Sequence, residues 1–372
     1  MAQQIADAPS QRRRLVMSAQ TRGLVCAHHH LYSSLVRGMP APKQKSKSFI
    51  EILNNVWWRV DAVLDNEMIY WSAMLGATEA LMSGTTCIID HHESPNCIEG
   101  SLSTIADACK SVGVRVNTCY GVSDRWDDSQ QLHSKVSPLA KMTKAATRGL
   151  VECERFLSSG GLGMVGVHAA FTCSDETLNA AADLAKKYSV GVHVHVAEGL
   201  DDIQAGARLE SLAQDNWLLV HAVHLDRPLR GRVVHNARSN MNNAVGYAKP
   251  SEKPNKILLG TDGIGADMIE EARVAYARLR EFDVQADPTI VWQWLDNSLE
   301  LFPDAKNDVV TFNYDFADSP WHTAFTTNMT ATEVEIAGEK ILVDGLPTRV
   351  DLIEVRAKAH EQALRLYERL NN

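Results

Sequence analysis

The chain has 372 residues, 45% of them hydrophobic, which suits one large α/β unit with a buried core. A formal net charge of −9 and an isoelectric point near 5.9 argue against nucleic acid as the main partner. No apolar stretch approaches the roughly 18 residues that a membrane helix needs, which argues against a membrane partner.

Met1–Gln20 carries Arg12, Arg13 and Arg14 with no apolar core behind them and does not read as a secretory signal. From Gly23, strand-like and helix-like segments alternate. Gly23–His30 reads as a strand, and residues 31–48, with Gly38, Pro40 and Pro42, as a loop. Phe49–Leu64 and Glu67–Met82 have apolar residues at helical spacing. Strand Thr85–Asp90, helix Ser101–Val112 and strand Arg115–Val122 follow, and Ser123–Thr143 is polar and loop-like. Helix Ala145–Leu157, strand Met164–Phe171, helix Glu176–Tyr188, strand Gly191–Val196 and helix Asp202–Ala213 come next. Strands Trp217–Leu225, Arg232–His235 and Ile257–Thr261 precede an amphipathic helix, Ala266–Phe282. Beyond it, Pro288–Leu301 is helical. Asp308–Tyr314 and Glu333–Val343 alternate like strands, Asp344-Gly345 is a turn, and Val350–Leu370 is a charged helix.

Alternating strands and helices imply a parallel sheet, and eight strands are the number for a closed (β/α)8 TIM-type barrel. No glycine-rich phosphate loop follows any strand, so an open dinucleotide-binding sheet is disfavoured. The expected division is an N-terminal segment 1–22, a barrel 23–300, and accessory strands with a closing helix at 301–372. One connection is too short for a crossover helix: only Asp226–Arg232 separate Leu225 from Val233. Either that helix is replaced by a bare loop or residues are missing there. The seven cysteines are scattered and form no C-x-x-C pair, so reduced thiols in a cytoplasm are expected.

Five strand ends carry histidine or aspartate: Cys26-Ala-His-His-His30, Gly166-Val-His168, His193-Val-His195-Val-Ala-Glu198, Val220-His221 and Gly260-Thr-Asp262. His28 and His30 share one side of a strand and can grip one ion, while His29 faces away. His195 and Glu198 form the better pair on the next such strand, with His193 as buried support. Glu198, past the strand end, can shuttle a proton. Asp262 can bind metal and hold the attacking water. Three neutral histidines and one carboxylate leave a divalent ion an open position, the mark of a catalytic site. His221 ends its strand and could ligate metal or polarise substrate. His168 and His235 end two further strands, each as readily a substrate contact as a satisfied polar end. Arg238 and Asn240 are candidates for gripping a polar substrate, against loop capping. His91 and His92 face opposite ways and read as outside the metal shell. Trp57 and Trp58 read as packing rather than a substrate lid.

Gly23–Gly38, with its Cys26-Ala-His-His-His30 core, resembles the first-strand signature of the amidohydrolase superfamily, in its cytosine deaminase, guanine deaminase and chlorohydrolase branch. Asp90-His-His92, His193–Glu198, His235–Asn243 and Gly260–Asp267 are similar to SsnA-type aminohydrolases. The resemblance implies one divalent ion, zinc ahead of iron, held by His28, His30, His195 and Asp262. It implies Glu198 as proton shuttle, His221 as the histidine that orients water or polarises substrate, and His168 and His235 as pocket residues. His168, where two-metal relatives carry a modified lysine, favours a single metal. Met1–Arg22 is shorter than the family's N-terminal region, which implies a reduced accessory β-layer.

The expected activity is deamination of a nitrogen heterocycle by metal-activated water, with Glu198, His221 and Asp262 catalytic. Cyclic amide hydrolysis or chlorohydrolysis at the same site is one alternative, and a non-catalytic metal-binding relative another. The expected partner is a small heterocycle, with a homodimer left open.

Overall fold

The computed structural model describes residues 19–129 and 131–371. The arginines at 12–14 and most of the expected 1–22 segment lie outside the described residues. After β1 (Gln20–Arg22) come eight strands: β2 (Leu24–His29), β3 (Thr85–His92), β4 (Arg115–Val122), β5 (Val165–Ala169), β6 (Val192–Val196), β7 (Leu218–His221), β8 (Arg232–His235) and β9 (Ile257–Leu259). They pair in parallel in chain order. The sheet closes through a parallel bridge from His29 to Asp262, with Thr261 N–H donating to His28 O at 2.8 Å. The result is the (β/α)8 barrel expected from the strand count.

Runs such as Val192-His-Val-His-Val196 are buried at every position, as strands covered on both faces must be. Val25, Ala27, Ile89, Val220, Val234 and Leu258 fill the barrel interior, plugged below by Leu299 and Phe302. The outer faces pack on helices Asn66–Met82, Ser101–Val112, Lys144–Ser158, Asp175–Tyr188 and Met268–Phe282. Asp65, Thr143, Ser174 and Asp267 cap four of these by accepting a backbone N–H three residues on.

Several elements differ from the sequence reading. The connection from β7 to β8, residues 222–231, is a bare loop without a helix. The expected strand Trp217–Leu225 stops at His221, because His221 and Ala222 both turn left-handed, at φ 68° and 51°. The expected helix Asp202–Ala213 is reduced to Ala205–Leu209 after a short 3-10 turn, Leu200–Asp202. There the Asp202 carboxylate accepts from Ala197 N–H and Phe171 N–H instead of facing solvent. Within Phe49–Leu64, Leu53–Trp57 winds as a π-helix. A short helix at Pro320–Phe325 had no strong sequence signal.

The chain ends build a second, antiparallel sheet in the order β1, β10 (Val309–Phe312), β11 (Ala331–Ile336), β12 (Glu339–Val343), β13 (Leu346–Pro347). The expected run Glu333–Val343 is in fact a hairpin, turning at the left-handed pair Ala337 and Gly338. Asp344 and Gly345, also left-handed, make the expected turn into β13. Helix Leu352–Asn371 closes over Asn66–Met82. No described helix is long and apolar enough to cross a membrane.

Candidate active site

The site is built where the two-residue alternation of three strands breaks. In β2 the register shifts between Cys26 and His29, so Ala27 packs into the interior and His28 follows it inward. Bulges beside active sites re-aim side chains in this way. Ala197 (φ 47°) turns Glu198 back over the barrel mouth, and His221 (φ 68°) turns its own ring inward one residue after Val220. Asp262 is left-handed too, at φ 53°. Such backbone costs about 1–3 kcal/mol per non-glycine residue and persists where the surroundings hold it.

One ligand atom each from His28, His30, His195 and Asp262 falls within a 4.8 Å cluster. Nε2 of His28 lies 3.3 Å from Asp262 Oδ1, and Nε2 of His30 lies 3.0 Å from the same oxygen. The far side of each ring is held. His30 Nδ1–H donates to His91 O at 2.6 Å, and His195 Nδ1–H to His168 O at 2.7 Å. His28 Nδ1 meets His193 Nε2 at 2.8 Å, and His29 Nδ1 meets the Asp262 carbonyl at 2.6 Å. Carbonyls only accept, so the neutral rings of His30 and His195 turn bare Nε2 lone pairs toward each other and toward a carboxylate. A cation at the centre reconciles them, either a proton or a metal ion. Three imidazoles and one carboxylate are a donor set for a divalent metal, so the residues fit one.

Glu198 and His221 stand beside this cluster and form a second convergence with Asp262. Glu198 Oε2 is 3.4 Å from His221 Nε2, and its Oε1 accepts from Asn243 Nδ2 at 3.2 Å. His221 Nδ1–H donates to Asn240 Oδ1 at 2.7 Å. The Ser239 hydroxyl donates to Asp262 Oδ2. Burial, then the charge of Asp262, pushes the Glu198 carboxyl well above its ordinary range. Burial would raise Asp262 too, but with a proton at the centre hydrogen bonds from His28 and His30 outweigh it and hold it well below, and against burial the same contact lifts His30 above the usual imidazole range. Burial keeps His28 and His195 well below the usual imidazole range.

A cavity of about 700 Å³, counted to its open mouth, lies over these groups. His30, His195, Glu198 and Asp262 line its floor, and Phe49, Leu53, Trp57, Trp58 and Phe171 its apolar walls. Trp57 and Trp58, read from sequence as packing, therefore face the cavity. The expected substrate residues fall in different places. His168 lines the cavity. His235 is buried outside the barrel against Tyr247 and Trp294, with ring centroids 6.0 and 6.1 Å away. Arg238 grips Glu271 at 2.6 Å and the Gly265 carbonyl, tying the short helix Ala237–Asn242 to helix Met268–Phe282 and to the loop after β9. Asn240 holds His221. These three positions do not line the cavity, because β8 ends with His235 facing outward and the short helix Ala237–Asn242 turns Arg238 away from the mouth.

Sequence reasoning passed over Ser239, Asn243, Asp61, Glu93 and Arg125. Ser239 lies on the short helix Ala237–Asn242 and Asn243 is its C-cap residue, four positions on, a spacing that puts both on one face. Asp61 and Glu93 line the cavity, and the guanidinium of Arg125, 1% exposed, pairs with both.

A model of the amidohydrolase family matches residues 21–296. The 5'-deoxyadenosine deaminase of Methanocaldococcus jannaschii is 28% identical over 404 residues, covering 94% of this chain and 88% of that protein. A 5'-deoxyadenosine deaminase of Methanococcus maripaludis is 27% identical over 391 residues, covering 92% and 87%. An adenosine deaminase from Xanthomonas campestris with bound zinc superposes at a TM-score of 0.76 and 20% identity, covering 93% of this chain and 85% of that one. Atrazine chlorohydrolase from Arthrobacter aurescens, complexed with zinc, gives 0.75 at 17% identity, covering 92% and 88%. The two structural likenesses concern the fold; the family match runs from β1 through the barrel and takes in every strand end described above, so this chain belongs to the amidohydrolase family.

Proposed function

We propose that the chain is a metal-dependent deaminase that hydrolyses an amino group from a nitrogen heterocycle. The observation that carries this is the convergence of His28, His30, His195 and Asp262 on one point, with Glu198 beside it at the floor of an aromatic cavity. A divalent ion there, zinc ahead of iron, supplies Lewis acidity and an activated water near neutral pH. Glu198, kept protonated by burial, delivers a proton to the ring nitrogen next to the amino-bearing carbon. Asn243 sets the direction of that proton by holding the other carboxyl oxygen. His221 offers Nε2 to the attacking water, since its Nδ1–H is spent on Asn240. Asp262, ionised and steadied by Ser239, takes the water's proton toward the departing amine. The flat walls of Trp57, Trp58 and Phe171 suit a planar aromatic ring, with His168 as a polar contact.

These groups all sit in a barrel that we place at residues 23–300, with the described residues 19–22 and 301–371 contributing the accessory layer. The cysteines are free, which fits a reducing cytoplasm. The test is ammonia release by the zinc-loaded protein across adenine nucleosides, cytosine, guanine and aminotriazines. Release from at least one class is expected. Metal-loaded protein that frees no ammonia, but opens cyclic amides or frees chloride, would replace this reading.

A further inference from the structure

Glu93 directly follows β3 and is 2% exposed, and no step above uses it. It lines the cavity beside His168. Gly121 on β4 makes the room: a Cβ there would stand 2.4 Å from the His91 ring and 2.7 Å from Glu93 Oε1. Oε2 pairs with Arg125, which also donates to Asp61 at 3.0 Å and lies over the Trp58 ring. The carboxylate is therefore fixed from behind, with Oε1 left toward the cavity.

Oε1 stands 3.8 Å from His168 Nε2 and 4.0 Å from His91 Nδ1. Hydrogen bonds on the far sides of the rings settle what those atoms are. His91 Nε2–H donates to Val167 O at 3.1 Å, so Nδ1 is a lone pair, and it is buried without a partner. The Thr172 hydroxyl donates to Ala169 O at 3.1 Å, so its oxygen accepts from His168 Nδ1–H at 2.7 Å and leaves His168 Nε2 as a lone pair. Three acceptors thus converge, with no donor from a described residue bonded to any of them. Buried acceptors left so are costly, and a donor between them removes that cost.

We propose that Glu93 determines specificity: with His168 Nε2, it accepts from a second N–H or O–H donor of the substrate, distinct from the amine that leaves. This rests on the heterocycle deaminase reading above and narrows it to rings that carry an additional amine or a sugar hydroxyl. Arg125 is the positioning residue behind Glu93.

The test is calorimetric binding to the zinc-loaded protein with two matched pairs of probes. Adenosine against 2',3'-dideoxyadenosine reports sugar hydroxyls, and 2,6-diaminopurine against adenine reports a ring amine. Wild type is expected to favour the donor-bearing member of one pair by about ten-fold or more. Glu93→Gln is expected to collapse that ratio to near one. Its amide oxygen faces Arg125, so its N–H₂ supplies the donor to His168 and leaves the ligand none to satisfy. Glu93→Ala strips a buried guanidinium of a partner and can fail to fold, so melting curves and zinc content accompany both variants. A merely structural defect would weaken both members of a pair and leave the ratio standing. An unchanged ratio in folded Glu93→Gln overturns the proposal, as does a wild type that shows no preference in either pair or binds none of the four. Ammonia release is read on the same samples. Preference without ammonia sinks the deaminase reading alone, and ammonia without preference sinks the Glu93 proposal alone.

Discussion

The Nε2 atoms of His30 and His195 lie 3.3 Å apart, and the opposite nitrogen of each ring already donates to a backbone carbonyl. Two neutral imidazoles so arranged repel unless a cation stands between them. Chelation at neutral pH is therefore expected to lower the melting temperature, and zinc to restore it. Ligand excess of about a thousand-fold over Kd stabilises by about 4 kcal/mol, which differential scanning calorimetry resolves. A melting temperature indifferent to both chelator and zinc would contradict the account.

Glu198→Gln keeps the shape of the side chain and removes its proton. A loss of about 10²–10⁴ in kcat is expected, with metal content unchanged. Asn243→Ala should cost less. The Asn243 hydrogen bond lowers the Glu198 pKa, so its removal raises that pKa further. Glu198 acts in its protonated form, so the alkaline limb of the kcat profile should move to higher pH in Asn243→Ala. A limb that moves to lower pH would assign the limb to another group.

Arg238 was a candidate for gripping substrate, yet its guanidinium faces the fully buried Glu271 carboxylate. Arg238→Ala strands that charge, at a cost of about 3–5 kcal/mol. Urea unfolding should show the loss, and KM of the protein that still folds should stay near wild type. A raised KM with unchanged stability would return Arg238 to the substrate.

Burial pushes the Asp202 carboxyl up to about 7, against hydrogen bonds from Ala197 and Phe171 that pull it down. Unfolded, it titrates near about 4, so the folded protein holds this proton more tightly. Its contribution to stability is full below about pH 4 and is lost as pH rises through about 7. Melting temperatures across that window should fall less steeply in Asp202→Asn than in wild type. Burial also pushes Asp61 and Asp90 up, each to about 6, so part of the slope should remain. Identical slopes would show that Asp202 stays ionised throughout.

The barrel was legible because its strands are short β-branched runs separated by helical patterns, and because the histidines of the metal site lie at or next to strand ends. The interior of the site was less so. A two-residue period places His28 and His30 on one side but does not reveal the shift between Cys26 and His29 that turns that side inward. Nor does it reveal the left-handed residues that aim Glu198 and His221, since alanine and histidine are not the usual signals for positive φ. His235 reads like the other strand-end histidines, but its strand runs out with that position facing Trp294. Trp57 reads as helix packing because a π-turn, invisible in the 3.6-residue pattern, rotates it toward the cavity. Ser239 and Asn243 could have been found from their spacing of four. Glu93 could not, because its role depends on Gly121 across the barrel wall.

Elemental analysis of the purified protein, beside a His28→Ala/His30→Ala variant, tests the central claim most directly. About one zinc or iron per chain, lost in the variant, is the result this site predicts. A wild type that holds no transition metal, even after refolding with zinc, would contradict it.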